Sequence, residues 1–203
     1  MTSQHIDVSL CQSAERTTWR GSWIWTDEAA ADRNVYALFR RTFMLASPGR
    51  LQLTITADSE YTLYIDGRFH VRGPARAPLE YYLYDTVEVS LDAGLHCLAV
   101  LVHHVGEVNA CMVLGRPGLL VDAVAQSGDT EIDLSSGPTW CCQRAMAWRK
   151  ELPCLLSHFG FWEDCDLAQL PTGWTQAEFA DEAWTAPVTI GTPLCAPWMR
   201  LLA

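Results

Sequence analysis

Five carboxylates could supply a paired general acid and base: Glu163, Asp164 and Asp166 beside Trp162, and Asp58 and Asp85 earlier in the chain. Such a pair takes two carboxyl groups roughly 5–10 Å apart, one held protonated and one ionised. Nothing in the spacing of these acids marks such a pair, so no catalytic residue is assigned. The Glu163-Asp164-x-Asp166 cluster also offers hard oxygen ligands suited to calcium, against the plainer reading of a solvated acidic loop. No other cofactor is expected. His103 and His104 are adjacent and point to opposite faces of a strand, so they cannot chelate one metal ion together, and Cys141-Cys142 meets the same obstacle. There is no nucleophile elbow, phosphate-cradling glycine loop or dinucleotide fingerprint, and Gly115-Arg116-Pro117-Gly118 reads as a turn.

The eight cysteines, at 11, 97, 111, 141, 142, 154, 165 and 195, form no C-x-x-C pair. Cys97 and Cys111 lie in or beside apolar runs, where a reduced cysteine acts as a small hydrophobe. The formal charge is −10, and Asp122 to Glu182 carries eleven acids against three bases. A field of that sign repels phosphate backbones and anionic lipid, so neither nucleic acid nor membrane is an expected partner. No apolar run approaches the ~18–20 residues needed to span a bilayer. Met1 to Glu15 lacks the basic-then-apolar order of a secretory signal. The expected location is therefore cytoplasmic, with secretion left open should a signal have been removed.

The elements that must position these groups are strands. Leu51, Leu53 and Ile55 alternate with Gln52, Thr54 and Thr56, the period of a half-buried strand. Asp58-Ser59 turns the chain, with the Asp58 carboxylate suited to accept backbone N–H groups. Tyr61 to Ile65 follows, then Asp66-Gly67, a dipeptide fit for a tight hairpin, and Phe69 to Val71 returns until Gly73-Pro74. Val87, Val89 and Leu91 alternate with polar residues, and Leu95 to Val102 is apolar enough to be a central strand covered on both faces. Val35 to Leu45 and Leu119 to Ala125 are further strands, while Cys141 to Leu156 reads equally as a short helix or as strand and loop. Leu53, Ile55, Leu63, Ile65, Val87, Val89, Leu98, Val100 and Val102 are the expected core. With 49% apolar residues, the pattern is that of an all-β antiparallel sandwich or jelly roll with long loops and little helix. The simplest organisation is an N-terminal extension (1–18) and one domain (19–203), irregular from about 127 onward.

Four stretches, in this order, resemble the N-terminal β-sandwich region of bacterial α-L-rhamnosidases. They are Trp23-Ile24-Trp25 with Tyr36 to Phe43; Ala57 to Gly67 continuing to Gly73-Pro74-Ala75-Arg76; Tyr84 to Val89 with Leu91, Gly94 and the apolar strand; and Gly173-Trp174-Thr175 with Phe179, Asp181 and Trp184. The family's usual Asn-Gly hairpin reads Asp66-Gly67 here, and its double Asp before the last Trp reads Ala180-Asp181. The resemblance implies a galactose-binding-like jelly roll whose parent enzyme carries its catalytic acids on a separate helical barrel absent from this chain. It implies a non-catalytic accessory domain that packs against that barrel and binds carbohydrate. The alternatives are a stand-alone carbohydrate-binding module or a small glycosidase. Independently of the family, Trp174, Phe179 and Trp184 in a polar stretch suggest a loop pinned by aromatic anchors, since a loop without apolar burial cannot offset its conformational entropy.

A sugar is held by an aromatic face against its C–H patches and by planar polar side chains on its hydroxyls. Nine Trp and six Tyr supply the faces, though core packing would account for most of them. The expected site is the rim around the hairpin. There Asp58, Asp66 and Asp85 would be acceptors, Arg72 and Arg76 fork-shaped donors, Tyr61 a further rim group, and Tyr84 or Tyr82 a stacking face. The competing reading pairs Arg76 with Asp85 to pin the crossing loop. An interdomain packing module would expose a broad apolar patch, and the Pro-punctuated stretch Pro193 to Leu202 looks like the start of a connection to further sequence.

Overall fold

The computed structural model describes residues 16–27, 33–77, 81–108, 114–154 and 160–203. Two antiparallel sheets pack face to face. The first holds β1 (Trp23–Trp25), β3 (Gly49–Asp58), β7 (Asp85–Leu91), β9 (Gly118–Ser127), β10 (Thr130–Asp133) and β12 (Val188–Gly191), in the order β12-β1-β9-β3-β7 with β10 also on β9. The second is β11-β2-β8-β4-β5, formed by β2 (Val35–Leu45), β4 (Glu60–Ile65), β5 (Arg68–Gly73), β8 (Gly94–His104) and β11 (Cys141–Arg144). A short parallel pair, β6 (Tyr82–Leu83) with β13 (Leu201–Leu202), lies outside both. The only helical element among the described residues is a 3₁₀ turn at Leu167–Gln169. No helix among the described residues is long and apolar enough to cross a membrane.

Alternation explains the core. Leu51, Leu53 and Ile55 on β3 and Leu119, Val121 and Ala123 on β9 face Phe39 on β2, Leu63 on β4 and Leu98, Val100 and Val102 on β8, all essentially inaccessible. Strand β8 sits between β2 and β4, and both its faces are covered, Leu98, Val100 and Val102 by the opposite sheet and Cys97 and Ala99 by the segment carrying Trp174 and Ala177, as its composition predicts. Val87 and Val89 depart from expectation and are only partly buried, because β7 is an edge strand whose inward side chains meet the core from one side. Of the stretch Cys141 to Leu156, Cys141–Arg144 is a strand paired with β2 and the described remainder is loop, Leu155 and Leu156 lying outside the described residues. At the hairpin, Asp66 and Gly67 both take positive φ, 50° and 77°, as a two-residue turn requires. A Cβ at Gly67 would also meet the Gln176 side-chain amide at 2.0 Å.

Both outer faces are partly covered. Over the five-stranded sheet, the loop carrying Trp174, Ala177, Phe179 and Trp184 packs on Leu38, Cys97, Ala99, Tyr36 and Tyr64, so the aromatic anchors pin it as expected. Beneath it Arg40, fully buried, holds Asp181 Oδ2 at 2.9 Å, donates to the carbonyls of Trp174 and of Gln176 (3.1 Å), and lies over the Phe179 ring. Over one end of the six-stranded sheet, Trp198 stacks on Trp23 at 3.9 Å beside Tyr82, Leu120 and Leu201. The stretch Pro193 to Leu202 packs on this end of the sandwich through Trp198 and Leu201, both buried.

Candidate functional site

Two of the rim residues singled out in the sequence lie inside the molecule. Asp58 is 2% exposed: its carboxylate accepts the Tyr82 hydroxyl, the His104 Nδ1–H at 3.0 Å and the Ser59 hydroxyl at 3.2 Å. Among the described residues its partners are side chains, not the backbone N–H groups expected of a turn aspartate. Gly115 closes the pocket, since a Cβ there would lie 1.7 Å from Asp58 Oδ2. Tyr61 is buried and donates to Asp85 Oδ2. Burial first, then the neighbouring carboxylate, raises both Tyr61 and Tyr82 far above the usual phenol range. Asp85 is thus held by Tyr61, and the expected Arg76–Asp85 ion pair is not formed.

The remaining rim residues spread apart. Asp66 stays at the hairpin, accepting the Cys97 N–H at 2.8 Å and facing His96 Nδ1 at 2.7 Å. Arg72 pairs with Glu60 at 2.6 Å in solvent, and Arg76 is exposed. Tyr84 lies on the other side, edge-on to Trp19 at 5.5 Å. The acids considered for catalysis or calcium also have structural partners. Glu163 accepts the Trp148 indole N–H, Asp164 pairs with Arg149, and Asp166 caps the 3₁₀ turn through the Ala168 N–H. No group of three or more His, Cys, Asp or Glu among the described residues is placed to hold a metal ion.

His103 and His104 do point oppositely. His104 goes inward to Asp58, while His103 stacks on Tyr36 at 4.0 Å, and Tyr36 on Trp148 at 4.5 Å. Burial, then the neighbouring His104, pushes His103 down to about 4. An unfolded histidine binds its proton near pH ~6.5. The stability conferred by keeping His103 neutral is therefore complete above about pH 6.5 and lost as the pH falls toward about 4. Urea unfolding at pH 7 and pH 5 is expected to show the first part of this loss, up to about 2 kcal/mol, and His103→Gln to reduce the difference between the two pH values. The six cysteines among the described residues are free thiols, and burial pushes Cys97 and Cys141 up to about 12, far from a reactive thiolate. Cys11 and Cys111 lie outside the described residues.

A second concavity was not foreseen. The half of the six-stranded sheet left uncovered by Tyr82 and Trp198 forms an open groove of about 390 Å³. Its floor is the outward row of three strands, Gln52 and Thr54 on β3, Thr86 and Glu88 on β7, Asp122 and Val124 on β9, and its walls are Tyr84, Arg16 and Arg20. Arg16, placed by sequence in an N-terminal extension, is tied down: its backbone N–H donates to Leu201 O, and its guanidinium reaches Thr54 Oγ1 at 2.7 Å and Asp122 Oδ2 at 3.1 Å. It also covers the Trp19 ring at 4.6 Å. The signal in the sequence was the polar half of each alternation; what could not be read was that three such halves share one face.

The chain is similar to the GH78 family rhamnosidase of Bacillus sp. GL1, with 31% identity and a TM-score of 0.79 over 92% of this chain and 20% of that one. It is also similar to the α-L-rhamnosidase of Aspergillus terreus (21% identity, TM-score 0.68, 86% of this chain and 22% of that one). The Pleurotus ostreatus lectin shares the fold at 16% identity and a TM-score of 0.66, over 91% of this chain and 46% of that one. No family model and no curated protein matches the chain. The chain spans about a fifth of the length of the rhamnosidases it matches. The resemblance to a rhamnosidase β-sandwich read from the sequence is thus carried by the whole fold.

Proposed function

We propose that the chain is a non-catalytic accessory β-domain of an α-L-rhamnosidase-like glycoside hydrolase, packing against a catalytic barrel and contacting carbohydrate. The observation that carries this reading is the match of nearly all of this chain to one fifth of a rhamnosidase at 31% identity. The local chemistry agrees: each acid considered for catalysis is engaged in a structural hydrogen bond or ion pair. The purified chain is expected to release no aryl alcohol from aryl rhamnosides or other aryl glycosides above background. Turnover abolished by replacing a single acid, with the fold retained, would overturn the non-catalytic reading.

A further inference from the structure

We propose that the open groove on the six-stranded sheet, and not the hairpin rim, is a binding site for a neutral, hydroxyl-rich saccharide segment. The proposal rests on the reading of the chain as a carbohydrate-contacting module and locates the contact. Ligand sites are concave, with a few fixed polar groups beside an apolar wall. In the groove the wall is Tyr84, backed edge-on by Trp19, and the outward side chain of Val124 adds an apolar strip to the floor. A pyranose can lay its C–H face on such a ring while its hydroxyls turn to the strands.

The polar groups are held in place before any ligand arrives. Arg16 donates Nε–H to Thr18 O and an Nη1–H to Thr54 Oγ1 and ion-pairs through Nη2 with Asp122 Oδ2, so its five-donor fork is fixed without being used up. Asp122, 6% exposed, uses Oδ2 for both the Arg20 backbone N–H (2.7 Å) and Arg16, leaving Oδ1 as an acceptor. An adjacent guanidinium donor and carboxylate acceptor match the donor–acceptor character of neighbouring hydroxyls. Gln52, which gives one N–H to Glu88 at 3.3 Å, keeps its carbonyl oxygen and a second N–H. Because these groups are immobilised by one another and by the sheet, binding need not bear the ordering cost that flexible side chains impose.

Charge selects the ligand class. The groove holds two cations, Arg16 and Arg20, against two carboxylates, Asp122 and Glu88, and the four are already paired within it or with Glu131 and Arg50 beside it. In a chain of net charge −10 no unbalanced cation is left to attract an anion, so a neutral polyol fits where a phosphate or uronate does not.

The test is a titration of the ¹⁵N-labelled full chain with methyl α-L-rhamnoside and with a rhamnose-terminated oligosaccharide, with cellotriose as a second neutral saccharide. Amide shifts are expected at Gln52, Thr86, Glu88 and Asp122 with at least one of these probes. Affinity should fall at least tenfold in Arg16→Ala, and also in Thr86→Trp, which fills the groove from an exposed edge-strand position and leaves the core alone. Shifts confined to the hairpin around Arg72 and Arg76 would overturn the groove while leaving a carbohydrate-contacting module in place. Silence toward all three probes at tens of millimolar would overturn both. Groove shifts that follow protein concentration and not sugar would make this face a protein contact and overturn the proposal as well.

Discussion

Replacing Arg40 with alanine is expected to destabilise the chain by about 3–5 kcal/mol, since two covered carbonyls are left without a donor at ~1–3 kcal/mol each and the guanidinium's packing is lost with them. Arg40 lies on the outward side of β2 and yet has no exposed surface, because the Trp174–Trp184 loop closes over it. Its guanidinium serves Asp181 and the carbonyls of Trp174 and Gln176 and covers Phe179. Without it, the carbonyls of Trp174 and Gln176 lose their donor beneath the loop, and the part-exposed Asp181 carboxylate loses its cation. Lysine should not rescue the loss. A single ammonium keeps the charge but cannot spread planar donors over three acceptors and stack on a ring. Asp181→Asn should cost less, about 1–3 kcal/mol, since its amide oxygen still accepts from Nε and the side chain reaches solvent. Urea unfolding followed by tryptophan fluorescence gives the midpoints, and limited proteolysis reports whether the loop opens first. An Arg40→Lys protein as stable as the parent would show that the fork geometry is irrelevant.

Arg40 also illustrates what a sequence hides. The strand Val35 to Leu45 is legible to the residue, because its aromatic and β-branched content is local. So are the Asp66-Gly67 turn, whose two residues dictate its backbone, and the doubly covered β8, whose apolar run has no polar half. Val87 and Val89 look like core residues because alternation gives the face and not the position in the sheet. The fate of polar side chains is harder still. Asp58 reads as a turn former or a ligand acceptor until the fold brings Tyr82 from 24 residues away and His104 from 46. The groove needs Arg20 and Asp122 in contact across 102 residues. Pro193 to Leu202 reads as a connection because its apolar residues have no local partner. The partner is Trp23, on the first strand among the described residues.

The Asp58 cluster separates a structural acid from a binding one. Asp58→Ala is expected to cost about 3–5 kcal/mol, since the Tyr82 hydroxyl, His104 Nδ1–H and Ser59 hydroxyl lose their acceptor at a site where each unmet donor costs ~1–3 kcal/mol and Ser59 alone has access to water. Tyr82→Phe removes one donor and leaves Asp58 with two, so its cost should be near ~1–1.5 kcal/mol. In the double variant the hydroxyl is no longer left unpaired by the loss of the carboxylate, so the two changes should be less than additive by 0.5 kcal/mol or more, the usual sign of groups in one network. Asp58→Asn should fall between, because its amide oxygen can still accept from His104 while its NH₂ requires the Tyr82 hydroxyl to turn and accept. An acid that contacts ligand behaves otherwise: its amide variant folds with parental stability and loses affinity. Thermal and urea unfolding of the four proteins, beside the saccharide titration, distinguishes the two. If Asp58→Asn unfolds at the parental midpoint and fails to bind sugar, the rim is the site and the buried cluster is misread. If it is destabilised and still shows the parental groove shifts, Asp58 belongs to the scaffold, where its 2% exposure and three donors place it.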